Sequence, residues 1–297
     1  EIKKRPHDKP FTVHIDSKEK IERITKEIPP VAYKLIEKFW PGPLTLICRA
    51  QDSTTIGIRL PDCGIAREII ARSGVWVVCP SANISGKLAP TTFAEAIKDL
   101  KGMVEYALDA GPTTRAKEST IVDVTEASVR IVREGALRRD EIEAIAKKKA
   151  VLFVCTGNSC RSVMAQGLLE KKLKEMRRPD VEVLSAGIMM MGGLGASEET
   201  RELLAREGID VSGHHSQRVT NDMLNKSDII LVMEGIHEQR ILEIDPRVRK
   251  RLFLLKEFAA STDTHLDIVY PMGKSEDFYQ ETFLTIKQAV EKISGII

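Results

Sequence analysis

The chain has 297 residues, 42% of them hydrophobic and 30% charged, with a net charge of +2 at neutral pH. Length and composition suit a two-domain soluble globular protein and exclude a disordered or fibrous one. No apolar run reaches the ~20 residues that a membrane-spanning helix needs, and the start does not read as a signal peptide.

Taken in chain order, Phe11 to Ile15 alternates as a strand, and helices are predicted over 18–25 and 30–39. Strands are predicted at 44–48, 55–60 and 75–79, then a helix at 93–100 with Thr92 as its N-cap. Strands at 120–124 and 129–133 precede a short helix at 140–146 with an acidic start. The pattern changes near Lys147-Lys148-Lys149, which predicts domains over 1–146 and 150–297. Beyond it come strand 151–155, helix 162–176, strand 181–185, helix 197–207, strand 228–233, helix 236–243, strand 252–254 and helix 276–294. Strands alternating with helices predict a doubly wound parallel sheet, whose ligands sit at the carboxyl ends of the strands.

Residues 1–149 carry 26 basic and 21 acidic side chains, a balance of +5; the remainder carries 19 and 22, a balance of −3. The first half therefore tolerates a polyanionic partner, though a solvated surface explains the balance equally well. The five cysteines (Cys48, Cys63, Cys79, Cys155 and Cys160) have no regular spacing, which argues against a disulfide framework and for a reducing cytoplasm. No zinc-ligand spacing occurs, so no metal site is expected; His214-His215 reads as a loop feature. The opening Glu1-Ile-Lys-Lys-Arg reads like the middle of a domain, so upstream sequence is expected.

The richest stretch is Val151-Leu-Phe-Val-Cys155-Thr156-Gly157-Asn158-Ser159-Cys160-Arg161-Ser162. An apolar strand ends in a cysteine, a tight loop follows, and a helix begins at once. Loop N–H groups and the helix dipole make an anion site, and the same field favours a thiolate at Cys155. A thiolate beside a phosphate cradle is a nucleophile for phosphoryl transfer. A buried strand cysteine is the bland alternative.

This loop, with Ser185-Ala-Gly187, Glu207-Gly-Ile-Asp-Val, His214-His-Ser216, Ser227-Asp-Ile-Ile-Leu-Val-Met233 and Asp267-Ile-Val-Tyr-Pro271, resembles the low-molecular-weight protein tyrosine phosphatases, including their arginine-phosphatase branch. The resemblance covers essentially the whole second half. It implies attack on phosphorus by Cys155 and bidentate binding by Arg161. Phosphate is cradled by Thr156, Gly157, Ser159 and Cys160, with Asn158 bracing the loop and Ser162 donating to sulfur. No cofactor or metal is needed, and the substrate is a phosphorylated protein. The family's general-acid aspartate precedes the proline of its acid loop, where this chain has Tyr270; Asp267 matches an upstream aspartate. Loss of a general acid costs ~10²–10⁴ in rate. Three readings stay open: a slow phosphatase, one in which Asp267 or Asp277 takes the role, and a phosphate-binding pseudo-enzyme. Small, polar Ser159 either leans toward phosphoarginine or merely fits the loop, and Cys160 is either a partner for a reversible disulfide with Cys155 or an inert loop cysteine.

The first half carries Lys3-Lys-Arg5-Pro, Trp40-Pro-Gly-Pro-Leu-Thr45, Thr55-Ile-Gly-Ile-Arg59, Pro80-Ser-Ala-Asn83-Ile-Ser-Gly86, Ser119-Thr-Ile-Val-Asp123 and Arg133-Glu-Gly135, in an order that resembles the YrdC-type threonylcarbamoyl-AMP synthases. The resemblance implies a twisted α/β domain, incomplete here, that joins L-threonine, bicarbonate and ATP (with Mg²⁺) for tRNA modification. It assigns Lys3, Arg5, Thr55, Asn83, Thr91 and Arg133 to the nucleotide and Arg59, Ser81 and Ser119 to threonine. The family's N-terminal segment with its threonine-holding motif is absent, so the pocket is expected to lack a wall. Two rivals remain: the first half as a tRNA or double-stranded RNA-binding module, and both halves as degraded scaffolds.

Overall fold

The computed structural model describes residues 11–115, 117–126, 128–189, 193–271 and 273–297, and divides after Ala146 into two units. The first contains β1 (Thr12–His14), a 3-10 turn (Lys18–Lys20), α1 (Ile21–Ile24), β2 (Thr25–Glu27), α2 (Pro30–Phe39), β3 (Leu44–Ala50), β4 (Thr55–Arg59), α3 (Gly64–Ser73), β5 (Val77–Val78), α4 (Phe93–Leu100), β6 (Thr120–Asp123), β7 (Arg130–Arg133) and α5 (Arg139–Ala146).

Its mixed sheet runs β5-β1-β4-β3-β6-β7, with β2 also paired to β3. Pro30 opens α2, where a missing N–H costs nothing, and Ala32, Leu35 and Ile36 bury one stripe of that helix. They pack with Trp40, Leu44, Leu46, Ile58, Val122 and Ile142. Thr92 caps α4 through Glu95 N–H at 3.2 Å. The predicted strand 75–79 shrinks to two residues at the sheet edge. β2 and α3 were not expected; β2 is three residues long, and α3 buries only Ile70. No residue of α4 is buried. Ile65, Ile69, Trp76, Val78, Val104 and Tyr106 are exposed.

The second unit contains β8 (Lys149–Cys155), α6 (Arg161–Glu175), β9 (Val181–Gly187), α7 (Glu198–Arg206), α8 (Asn221–Lys226), β10 (Ile229–Val232), α9 (Gly235–Ile244), a 3-10 turn (Pro246–Arg251), β11 (Leu252–Leu254), α10 (Leu255–Phe258) and α11 (Glu276–Ser294). Its four strands, ordered β11-β10-β8-β9, are all parallel. β8 alternates between two cores. Val151, Phe153 and Cys155 face a cluster with Leu169 of α6, Leu204 of α7 and Ile286 of α11. Leu152 and Val154 face Leu224 of α8 and Ile241 of α9. Burial on both faces makes β8 a continuous apolar run. Strand order reverses between β8 and β10, which puts the end of β8 at a topological switch point, the usual ligand position of such sheets.

Candidate functional site

Cys155 ends β8, and five residues carry the chain to Arg161 at the start of α6. Cys155 Sγ lies 3.0 Å from Ser162 Oγ and accepts the Asn158 N–H at 3.3 Å. Asn158 turns the loop through a left-handed conformation (φ 54°) that asparagine tolerates. Its side-chain amide donates to Ser162 Oγ (3.0 Å) and Ser185 Oγ (2.8 Å), and its Oδ1 accepts the Gln217 N–H (2.9 Å). Its carbonyl faces His214 Nε2 at 2.7 Å, so that nitrogen carries a proton. Gly187 lies against the loop: a Cβ there would come 2.8 Å from the Thr156 carbonyl.

Arg161 is fully buried. Its Nη1 pairs with Glu234 and donates to the Ile268 carbonyl (2.6 Å), and its Nη2 donates to Thr156 Oγ1 (3.0 Å). Its buried Nε–H has no acceptor among the described residues. A guanidinium held on one edge leaves a donor for an anionic oxygen. Thr156 Oγ1 also meets His237 Nε2 at 2.9 Å, while His237 Nδ1 accepts the Glu234 N–H at 3.0 Å. Burial, then the Arg161 charge, pushes His237 down to about 4. The neutral ring accepts at Nδ1, so Nε2 donates to Thr156.

The Tyr270 ring lies 4.8 Å from the Arg161 guanidinium carbon. Desolvation raises its phenol above the ordinary value, assisted by Cys160 and Cys155. Asp267 is exposed and accepts the Gly235 N–H at the start of α9 (2.8 Å), and Asp277 is exposed in the first turn of α11. Cys155 and Cys160 are both free thiols. Cys160 is engaged with Ser197 Oγ (3.4 Å) and Tyr279 OH (3.8 Å), while Ser159 is half-buried and its carbonyl accepts the Ser197 N–H.

In the first unit, strand register assembles a row of side chains. His14 pairs with Arg59 across β1 and β4, and Thr45 follows on β3, one step beyond Leu46 opposite Ile58. Ile121 and Arg133 continue the row on β6 and β7. All five line a cavity of about 660 Å³, with Ser81, Thr91, Ser119, Lys87 and Cys79 around it. Arg133 holds the Ser119 carbonyl through Nη2 at 2.8 Å, and Ser119 Oγ lies 2.8 Å from Thr45 Oγ1. Burial, with Arg115 and Arg133 nearby, lowers the Arg59 pKa. Burial also pushes His14 down to about 4.

Of the nucleotide and threonine residues expected from sequence, Arg59, Ser81, Thr91, Ser119 and Arg133 therefore meet at one cavity. Thr55 does not: it is exposed at the opposite end of β4, roughly 13 Å along the strand from Arg59. Asn83 is buried beside the cavity rather than lining it, bonded to Ser81 Oγ and the Lys87 carbonyl. Lys3 and Arg5 lie outside the described residues.

A family model for the Sua5, YciO and YrdC proteins, described as "Telomere recombination", matches residues 1–135, and one described as "Low molecular weight phosphotyrosine protein phosphatase" matches residues 150–295. The threonylcarbamoyl-AMP synthase of Pyrococcus abyssi is 36% identical over 177 residues, 57% of this chain and 52% of the relative. A putative threonylcarbamoyl-AMP synthase of Methanocaldococcus jannaschii is 37% identical, over 46% of this chain and 67% of the relative. The probable low molecular weight protein-tyrosine-phosphatase EpsP of Ralstonia nicotianae is 36% identical over 48% of this chain and 92% of the relative. The protein-arginine-phosphatase of Geobacillus stearothermophilus is 33% identical over 48% and 93%. The chain belongs to both families.

It is a fusion: a Sua5/YrdC unit followed by a low-molecular-weight phosphatase unit. The chain spans about half the length of the Pyrococcus synthase it matches. In the phosphatase unit, sequence reasoning found the loop but missed Glu234 and His237. The available signal was the acidic residue directly after the apolar strand beside β8, since a buried arginine needs a counter-ion. His14 was missed in the Sua5/YrdC unit; its signal was a histidine in register with Arg59. Among the described residues, no helix is long and apolar enough to cross a membrane.

Proposed function

We propose that the second unit is a cysteine-dependent phosphatase acting on phosphotyrosine or phosphoarginine in proteins. What carries the reading is one arrangement: Cys155 Sγ held by the Asn158 N–H and Ser162, with the Arg161 guanidinium locked by Glu234, Ile268 and Thr156. Cys155 sulfur bonds to phosphorus as the bond to the leaving group breaks. The Arg161 fork and the loop N–H groups bind the phosphoryl oxygens, and Ser162 stabilises the thiolate when water later displaces it. The leaving group takes a proton only if an acid is at hand; here the expected aspartate is Tyr270.

The first unit is proposed to make threonylcarbamoyl-AMP from L-threonine, bicarbonate and ATP (entering with Mg²⁺ as substrate), serving tRNA modification in the cytoplasm. The Arg59–Arg133 row supports it, as two cations and buried hydroxyls suit a carboxylate and phosphates. Direct contact with tRNA belongs to the same proposal and rests on the +5 balance of residues 1–149.

Hydrolysis of p-nitrophenyl phosphate by the whole chain tests the phosphatase. Cys155→Ser is expected to lower it by about 10⁴-fold or more; turnover that survives would overturn the mechanism. Threonine- and bicarbonate-dependent pyrophosphate release from ATP tests the synthase. Its absence, with salt-sensitive tRNA binding instead, would favour an RNA-binding module.

A further inference from the structure

The position of Tyr270 has consequences for substrate choice. It stands directly before Pro271, with its ring against Arg161 and the Ile268 carbonyl two residues earlier bonded to the same guanidinium. The acid loop is thus docked on the phosphate cradle. The side chain it brings there is a phenol whose proton is held more tightly than in water, because the site is desolvated and the cysteines lie near. A phenol with a pKa of about 10 or above is a weak proton donor near neutral pH. Two candidate carboxylates are otherwise engaged, and Asp277 is exposed in the first turn of α11. Glu234 is paired with Arg161, and Asp267 accepts the Gly235 N–H at the start of α9. Cradle and nucleophile are fully braced, whereas the means of protonating a departing oxygen or nitrogen is not.

We propose that this site selects phosphoryl donors whose leaving group departs as a stable anion, namely acyl phosphates, the mixed anhydrides of carboxylic and phosphoric acids, over phenyl esters and phosphoguanidines. The inference rests on the phosphatase reading of Cys155. In the first step the Cys155 thiolate bonds to phosphorus and the P–O bond to the carboxylate breaks. That carboxylate leaves with its electron pair and needs no proton. In the second step water attacks the cysteinyl phosphate, the S–P bond breaks, the thiolate is restored, and phosphate and a proton are released. A carboxylate of pKa about 4 leaves unaided, while a phenolate of pKa about 10 or a guanidine gains most from an acid. Bidentate binding by Arg161 acts on the phosphoryl group and is shared by every donor, so it does not offset that difference.

The experiment compares kcat/KM of the whole chain on acetyl phosphate and phenyl phosphate, with Cys155→Ser as the blank for spontaneous hydrolysis. Acetyl phosphate is expected to exceed phenyl phosphate by about 10²-fold or more, the size of a missing general acid. In Tyr270→Asp the ratio is expected to shrink at least ~10-fold, through faster phenyl phosphate hydrolysis. Tyr270→Phe keeps the aromatic ring on Arg161 and is expected to preserve the wild-type ratio. Equal kcat/KM for the two donors in the wild type would overturn the proposal. So would a ratio that Tyr270→Asp leaves unchanged, or one that Tyr270→Phe widens, since the phenol would then be the acid. Failure of the underlying reading looks different: hydrolysis of both donors would equal the Cys155→Ser blank, and acetyl phosphate would not phosphorylate Cys155 by mass spectrometry.

Discussion

The two units each gather cationic and hydroxyl side chains at one place, by different means. The phosphatase unit makes its cradle from eight consecutive residues, Cys155 to Ser162, wound between the end of β8 and the first turn of α6. The first unit makes its cavity from a row of side chains on five strands, aligned by register, together with loop residues such as Ser81, Thr91 and Ser119. In the first case local backbone geometry places the donors, and distant residues such as Ser185, His214 and Gln217 only brace it. In the second the sheet is the scaffold, and Arg59, Thr45 and Arg133 depend on their strands staying in register. The surroundings differ as well. Arg161 is fully buried, whereas Arg59 is half-buried in the cavity lining, and the same unit leaves Trp76 and Tyr106 exposed.

Substituting the two arginines by lysine tests that contrast most strongly. Arg161→Lys keeps the charge but cannot hold Glu234, Ile268 and Thr156 at once. Aryl phosphate kcat/KM is expected to fall by about 10²–10³-fold, since the planar fork does the binding. Arg59→Lys still offers a cation from a strand end, and threonine binding by calorimetry is expected to weaken by less than about 10-fold. Comparable losses at the two sites would mean that the cavity depends on guanidinium geometry as much as the loop does.

Two buried asparagines, one at each site, give the next largest difference. Asn158→Ala puts a β-carbon residue at φ 54° and removes hydrogen bonds to Ser162, Ser185 and Gln217. A loss of about 2–4 kcal/mol from the phosphatase unit is expected. Asn83→Ala loses the hydrogen bonds to Ser81 Oγ and the Lys87 carbonyl, at an expected cost of about 1–2 kcal/mol to the first unit. Urea unfolding followed separately in the two units measures both. Equal losses would argue that the cavity loop is braced as tightly as the cradle.

The same contrast explains what could be read before the structure. The cradle was legible because its chemistry is contiguous, and the helices α2 and α11 were legible because they bury a helical stripe. Arg59 and Arg133 were found through a family resemblance, since nothing in their spacing of 74 residues announces that they share a wall. Thr55 lies away from that cavity, because adjacency in a motif does not tell which end of a strand faces it. Glu234 and His237 escaped because their roles come from packing across the switch point between β8 and β10.

Histidine titration gives the smallest effect and separates the units by pH. His237 is fully buried, and its folded value of about 4 lies below the ordinary 6.5. The unfolded chain therefore binds more protons between those values, and stability rises with pH across that window. The contribution is complete above pH 6.5 and is lost as pH falls toward 4. Between pH 7 and pH 5 the phosphatase unit is expected to lose about 1–2 kcal/mol through this residue. His14 has a similar value, but it is half-buried at the cavity where solvent partly screens it, so the first unit is expected to respond less. Protonation would also remove the Nδ1 acceptor for the Glu234 N–H and set a second cation beside Arg161. The decisive measurement is the pH slope of unfolding in His237→Gln. A flattened slope confined to the phosphatase unit assigns the effect to His237, and an unchanged slope would transfer it to the paired carboxylates.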